Sequence, residues 1–105
     1  MAIPEVSVDE LAQLLAAEPA TRLIDVREPD EYADAHVPGA VLVPLGTVPD
    51  NVDAFRGAGP VYIICARGGR SLKAAEYVAE EGVEAVNVAG GTLAWIDAGH
   101  PVDAG

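Results

Sequence analysis

The sequence predicts an α/β fold in which a central parallel sheet of about five strands carries helices on both faces. Three observations lead there. Strand-like and helix-like segments alternate along the 105 residues. Several strand segments are apolar almost throughout, Val61–Ile64 above all, as suits strands covered on two sides rather than one. No repeat, low-complexity tract or interdomain linker interrupts the pattern, so residues 1–105 read as a single domain.

The elements follow in order. Val6 lies in a short opening segment. Ser7-Val8-Asp9-Glu10 has the form of a capping box, and Leu11, Leu14 and Leu15 give the helix behind it one apolar face up to about Ala17. Pro19 stops that helix. Arg22–Val26 is a strand, and Pro29–Ala35 is a short helix with proline in its first turn. His36-Val37-Pro38-Gly39 is a turn, Val41–Val43 a strand, and Pro44–Gly59 irregular or briefly helical. Val61–Ile64 is the next strand. Ser71 is placed to cap a helix that runs through Leu72, Ala75, Val78 and Ala79 until Gly82 ends it. Ala85–Val88 is the last strand, Gly90-Gly91 a turn, and Thr92–Ala98 a final helix closed by Gly99 and Pro101.

Composition excludes several classes of function. The formal net charge of −11 opposes binding to nucleic acid or to an anionic membrane surface. No apolar run reaches the ~20 residues of a membrane span, and Met1–Glu5 lacks the basic and long apolar regions of a secretory leader. A single cysteine forbids an internal disulfide, so a reducing, cytoplasmic setting is expected. No His, Cys, Asp or Glu spacing suggests a metal, and neither a P-loop nor a dinucleotide fingerprint is present, so no cofactor is expected.

The chemistry concentrates at that cysteine. Cys65 stands where the Val61–Ile64 strand stops, followed by the small, Gly-rich, doubly basic stretch Ala66, Arg67, Gly68, Gly69, Arg70. Main-chain N–H groups, a helix N-terminus and two guanidiniums beside a thiol all favour its anion, the reactive form. Of only six Lys and Arg residues, Arg67, Arg70 and Lys73 fall just after Cys65, and no acidic residue lies between Arg56 and Glu76. An acidic chain with its scarce cations around its one thiol is suited to a small anion.

In a parallel sheet the loops after the strands share one rim. Three loops should meet there: one after Val26 with Arg27, the Cys65 loop, and Gly90-Gly91. Asp25 and Arg27 are expected to brace neighbouring loops. Arg70 is expected to brace the loop against Asp25, Glu28 or Glu31 while adding positive field, and Arg67 to lie exposed at the mouth. His36 reads as a structural hydrogen-bonder, His100 as an exposed tail residue, Lys73 as solvated, and Trp95 and Tyr62 as packing residues.

Three stretches carry a resemblance to single-domain rhodanese-like (thiosulfate sulfurtransferase-like) proteins: Leu23–Ala40 (LIDVREPDEYADAHVPGA), Cys65–Ser71 (CARGGRS) and Gly90–Val102 (GGTLAWIDAGHPV). Their order and separations extend the likeness over nearly the whole chain. The resemblance implies a rhodanese-like fold and a chemistry. Cys65 takes a sulfane sulfur from a donor such as thiosulfate, becomes a persulfide, and passes the sulfur to a thiol or to cyanide. By position, Ala66–Arg70 is the anion cradle. The implied partners are a small anionic sulfur donor and a thiol or protein acceptor, and a relay or sensor module with slow turnover is the alternative. Phosphatases and arsenate reductases on the same scaffold have a loop one residue longer between cysteine and arginine. The four residues between Cys65 and Arg70 make a tighter cradle and disfavour that chemistry.

Overall fold

Alternating elements, strands too apolar for a one-sided sheet and crossovers long enough for helices produce the expected layered α/β architecture. The computed structural model describes residues 2–105. The strands are β1 (Glu5–Val6), β2 (Arg22–Asp25), β3 (Val41–Leu42), β4 (Val61–Ile64) and β5 (Ala85–Val88). They form one sheet in the order β1-β5-β4-β2-β3, with every pairing parallel. The helices are α1 (Val8–Ala17), α2 (Pro29–Asp34), α3 (Gly69–Glu80) and α4 (Gly91–Asp97). The Pro44–Gly59 stretch, predicted irregular or briefly helical, contains two 3-10 turns, Leu45–Asp50 and Val52–Phe55.

Local chemistry explains the helix starts. The Ser7 hydroxyl accepts from the Glu10 N–H at 3.1 Å, and the Glu10 carboxylate accepts from the Ser7 N–H at 2.9 Å. Pro29 opens α2, where a missing N–H leaves no bond unmade, and Glu31 accepts from the Glu28 N–H at 3.1 Å. The start of α3 corrects the expectation for Ser71. The cap is Gly68, at φ +108°, and no side chain caps this end. That left-handed step turns the chain into the helix three residues early, which puts Gly69, Arg70 and Ser71 in the first turn.

Two cores cover the sheet. On one face Val61 and Ile63 of β4 pack with Ala74, Ala75 and Val78 of α3 and with Val48 and Phe55 of the 3-10 turns. On the other, Tyr62 and Ile64 pack with Leu11 of α1 and Trp95 of α4. Successive strand side chains alternate faces. One step beyond β4 that alternation turns Cys65 toward α3, in the same cluster as Ile63. Among the described residues no helix is long and apolar enough to cross a membrane.

Candidate active site

Cys65 lies at the rim, between the end of β4 and the first turn of α3. The residue is only 1% exposed, and its strand side is apolar. Its sulfur nevertheless has polar partners on the helix side. The Gly68 N–H donates to Sγ at 3.0 Å and the Ser71 hydroxyl at 3.3 Å. Burial pushes the thiol pKa up. The Ser71 hydroxyl and the N–H groups of Ser71, Gly68 and Arg67 pull it down, and the net direction is down. The donors that outweigh burial are thus short-range and neutral. Arg70 does feel the Cys65 charge, but for the thiol this attraction ranks below those hydrogen bonds. The two guanidiniums expected to hold the sulfur anion are secondary to main chain and hydroxyl.

The loop has spare N–H groups because its carbonyls are taken up elsewhere. The Cys65 carbonyl accepts from the Thr92 N–H at 2.8 Å and the Thr92 hydroxyl at 3.1 Å, and the Ala66 carbonyl accepts from the Leu93 N–H at 3.1 Å. The Gly68 carbonyl accepts from Asn87 Nδ2 at 3.2 Å and from the Leu72 N–H at 3.2 Å. A trans peptide points its N–H opposite to its C=O. With the Ala66 carbonyl drawn to α4, the Arg67 N–H of the same peptide faces the other way. The first turn of α4 serves as a clasp for the cysteine loop. It needs Gly91, at φ +63°, because a Cβ there would lie 2.5 Å from the carbonyl oxygens of both Cys65 and Ala66.

The remaining residues expected at the rim divide into two groups. The Gly90-Gly91 loop meets the Cys65 loop through the contacts just given. The β2 end does not point its charges at the sulfur. Asp25 and Arg27 are both buried and spend their bonds on each other, with Arg27 Nη2 also donating to the Ala35 carbonyl at 2.8 Å. They fasten the end of β2 to the end of α2. Arg70 reaches across the rim instead: its two Nη atoms meet the two carboxylate oxygens of Glu31 at 2.8 and 2.9 Å. The Arg70 guanidinium holds the Glu31 carboxyl down to about 2. Of the three carboxylates the sequence offered to Arg70, the fold selects Glu31. Arg67 and Lys73 are exposed, and among the described residues neither makes an ion pair.

His36 is buried; its Nδ1 lies 2.8 Å from the Tyr32 carbonyl and its ring stacks on Tyr32 at 3.7 Å. His100 is not a free tail residue. It is half-buried, 2.8 Å from Asp9 and tilted against Trp95. Among the described residues no group of three His, Cys, Asp or Glu side chains is placed to hold a metal.

Sequence reasoning misses three residues. Ser71 reads as a helix cap, yet its hydroxyl serves the sulfur; its place within one helical turn of the loop is the available signal. Thr92 reads only as the start of the last helix, yet it holds the Cys65 carbonyl. Asn87 reads only as strand. Its amide ties Gly68 to Glu5, 2.7 Å away, from a buried position in β5. A polar side chain inside an otherwise apolar strand was the signal there.

Comparison with known proteins agrees with this geometry. The rhodanese-like domain family model matches residues 7–98. A putative sulfurtransferase of Bacillus subtilis, YtwF, is 36% identical over 95 residues, covering 90% of this chain and 92% of the relative. A sulfurtransferase of Allochromatium vinosum is 32% identical over 101 residues, covering 95% and 94%. The crystal structure of a rhodanese-like domain protein from Staphylococcus aureus superposes with a TM-score of 0.88 at 36% identity, over 98% of this chain and 99% of that one.

Proposed function

The chain belongs to the rhodanese-like domain family, and on that premise we propose that it is a sulfurtransferase working through a persulfide on Cys65. The names of its relatives support a transferase role. The observation that carries the mechanism is the pair of neutral donors, Gly68 N–H and Ser71 hydroxyl, on the Cys65 sulfur.

The Cys65 thiolate attacks the terminal sulfur of a sulfane donor. A new S–S bond forms, the donor's own S–S bond breaks, and its electron pair leaves with the remainder, which is sulfite from thiosulfate or a thiolate from a persulfide. Cys65 is left as Cys–S–S⁻. A thiol or cyanide acceptor then attacks the outer sulfur and the Cys65 thiolate returns, a covalent cycle that divides one transfer into two displacements. The amides of Arg67, Gly68 and Ser71 that favour the thiolate also suit the persulfide anion one atom further out. The depth of Cys65 favours a donor that presents a single protruding sulfur atom.

A phosphatase reading has less support. Arg70 is clamped to Glu31 rather than turned onto the sulfur, and the loop between them is short. Intact-mass analysis after exposure to thiosulfate and to a persulfide donor decides the matter. One added sulfur, about 32 Da, is expected on the native chain and none on Cys65→Ser. Absence of the adduct with every sulfane donor sinks the reading. Fast single-turnover loading with slow transfer to small thiols would instead mark a relay that hands sulfur to a protein partner.

A further inference from the structure

We propose, resting on the sulfurtransferase reading above, that Glu31 sets donor choice: by occupying both arms of Arg70 it disfavours thiosulfate and favours alkyl persulfides, whose leaving group is a thiolate with no oxyanion headgroup.

Thiosulfate differs from an alkyl persulfide chiefly in its leaving group, a doubly charged sulfonate-type headgroup that must sit beside the reacting sulfur. Recognising that headgroup takes a cation with free N–H groups, best a guanidinium fork. Five arginines could supply one near the loop or elsewhere, and four are spent. Arg56 pairs with Asp53 at 3.1 Å and donates to the Glu81 carbonyl at 2.9 Å. Arg27 is buried on Asp25 and the Ala35 carbonyl. Arg22 donates to the carbonyls of Phe55, Arg56 and Gly59, in the segment that leads into β4 and so at the opposite end of the sheet from Cys65. Arg70, in the first turn of the helix that faces the sulfur, is closed by the bidentate Glu31 pair at 2.8 and 2.9 Å.

Among the described residues, only the exposed Arg67 and Lys73 stay unpaired around the loop, on a chain of net charge −11 that repels a dianion. The direct partners of the sulfur are neutral and fit one sulfur atom. Glu31 thus acts through Arg70 as a positioning residue: it neutralises the guanidinium in the first turn of α3, and leaves an anionic headgroup only the solvent-exposed Arg67 and Lys73. Discrimination of this kind works by withholding a partner from the wrong ligand.

The test compares two donors, thiosulfate and the persulfide of 2-mercaptoethanol, which has no sulfonate headgroup, by the rate of Cys65 persulfidation. The native chain should show a kcat/KM at least about tenfold higher for the alkyl persulfide. Glu31→Gln keeps an oxygen for the Glu28 N–H and removes the charge that holds Arg70. It should lower the thiosulfate KM by roughly three- to tenfold and leave both parameters for the alkyl persulfide level. A purely structural brace would move both donors together, so an equal loss with both overturns the proposal, as does an unchanged ratio. The native preference needs no variant, and a preference for thiosulfate overturns it as well. If neither donor adds sulfur to Cys65, the sulfurtransferase reading itself has failed, an outcome distinct from the others.

Discussion

Strands β2 and β4 lie side by side, and their two ends carry opposite arrangements of the same chemistry. At the cysteine end, main-chain N–H groups converge on one side-chain atom, Sγ of Cys65. At the other end, one side chain, Arg22 at the start of β2, converges on main-chain carbonyls: Phe55 at 2.8 Å, Arg56 at 3.0 Å and Gly59 at 3.0 Å. The difference lies in which half of the peptide group the fold consumes. Around Cys65 the carbonyls are taken by Thr92, Leu93 and Asn87, and the amides are left to face the sulfur. Around Arg22 the carbonyls are satisfied by a guanidinium that the fold itself supplies, which stabilises the turn and leaves nothing there for chemistry.

The sharpest way to break this contrast is to loosen the clasp on the cysteine loop. Gly91→Ala forces a Cβ into two carbonyl oxygens at a positive φ. It should destabilise the chain by about 3 kcal/mol or more and abolish persulfide formation, read by chemical denaturation and intact mass together. A variant with native stability and full sulfur uptake would mean that the loop does not depend on α4. Arg22→Ala attacks the other end. It should lower stability by about 2 kcal/mol through the stranded carbonyls, yet leave the alkylation rate of Cys65 at its native value in the folded chain. A slowed thiol would show that the two ends are not independent.

Ser71→Ala tests the sulfur's own partners. Removing a donor that favours the anion raises the thiol pKa, so at pH 7 less thiolate is present. Iodoacetamide should react several-fold more slowly, with a pH–rate midpoint moved upward. An unmoved midpoint would assign the sulfur's reactivity to the amides alone. The smallest effect is expected at the Glu31–Arg70 pair. Glu31 is lowered from 4.5 to about 2, so its contribution is complete above 4.5 and disappears as pH falls toward 2. Both side chains are about a third exposed, and solvent screening holds that contribution to roughly 1 kcal/mol or less. The fall in stability between pH 4.5 and 2 should be shallower in Glu31→Gln than in the native chain, as followed by urea denaturation at each pH.

Much of this architecture was legible in the residues. Apolar runs of four, one capping box and proline positions placed β2, β4, β5, α1 and α2 within a residue or two, because short-range preferences decide them. Arg22–Val26 and Val41–Val43 each proved one residue too long, since pairing in the sheet, not hydrophobicity, ends a strand. The cysteine loop was recognisable from local pattern, but the identity of its donors was not. Whether Ser71 caps a helix or faces a sulfur depends on the φ of Gly68, a single torsion no composition reveals. Asn87 and Thr92 reach the loop from elements 22 and 27 residues away from Cys65, and only the closed sheet brings them there. Arg70 had three carboxylates within reach on paper; the crossing of α2 over the rim picked one.

Because hydroxyl and amide dipoles, and not mobile cations, hold the Cys65 sulfur, its reactivity should be indifferent to ionic strength. Dissolved ions screen separated charges over a Debye length of about 10 Å at 0.1 M, but they do little to a direct, part-buried hydrogen bond at 3.0 Å. The thiol can therefore keep the same nucleophilicity in dilute buffer and in strong brine, and salt should act on the reaction only through the charge of whatever donor approaches.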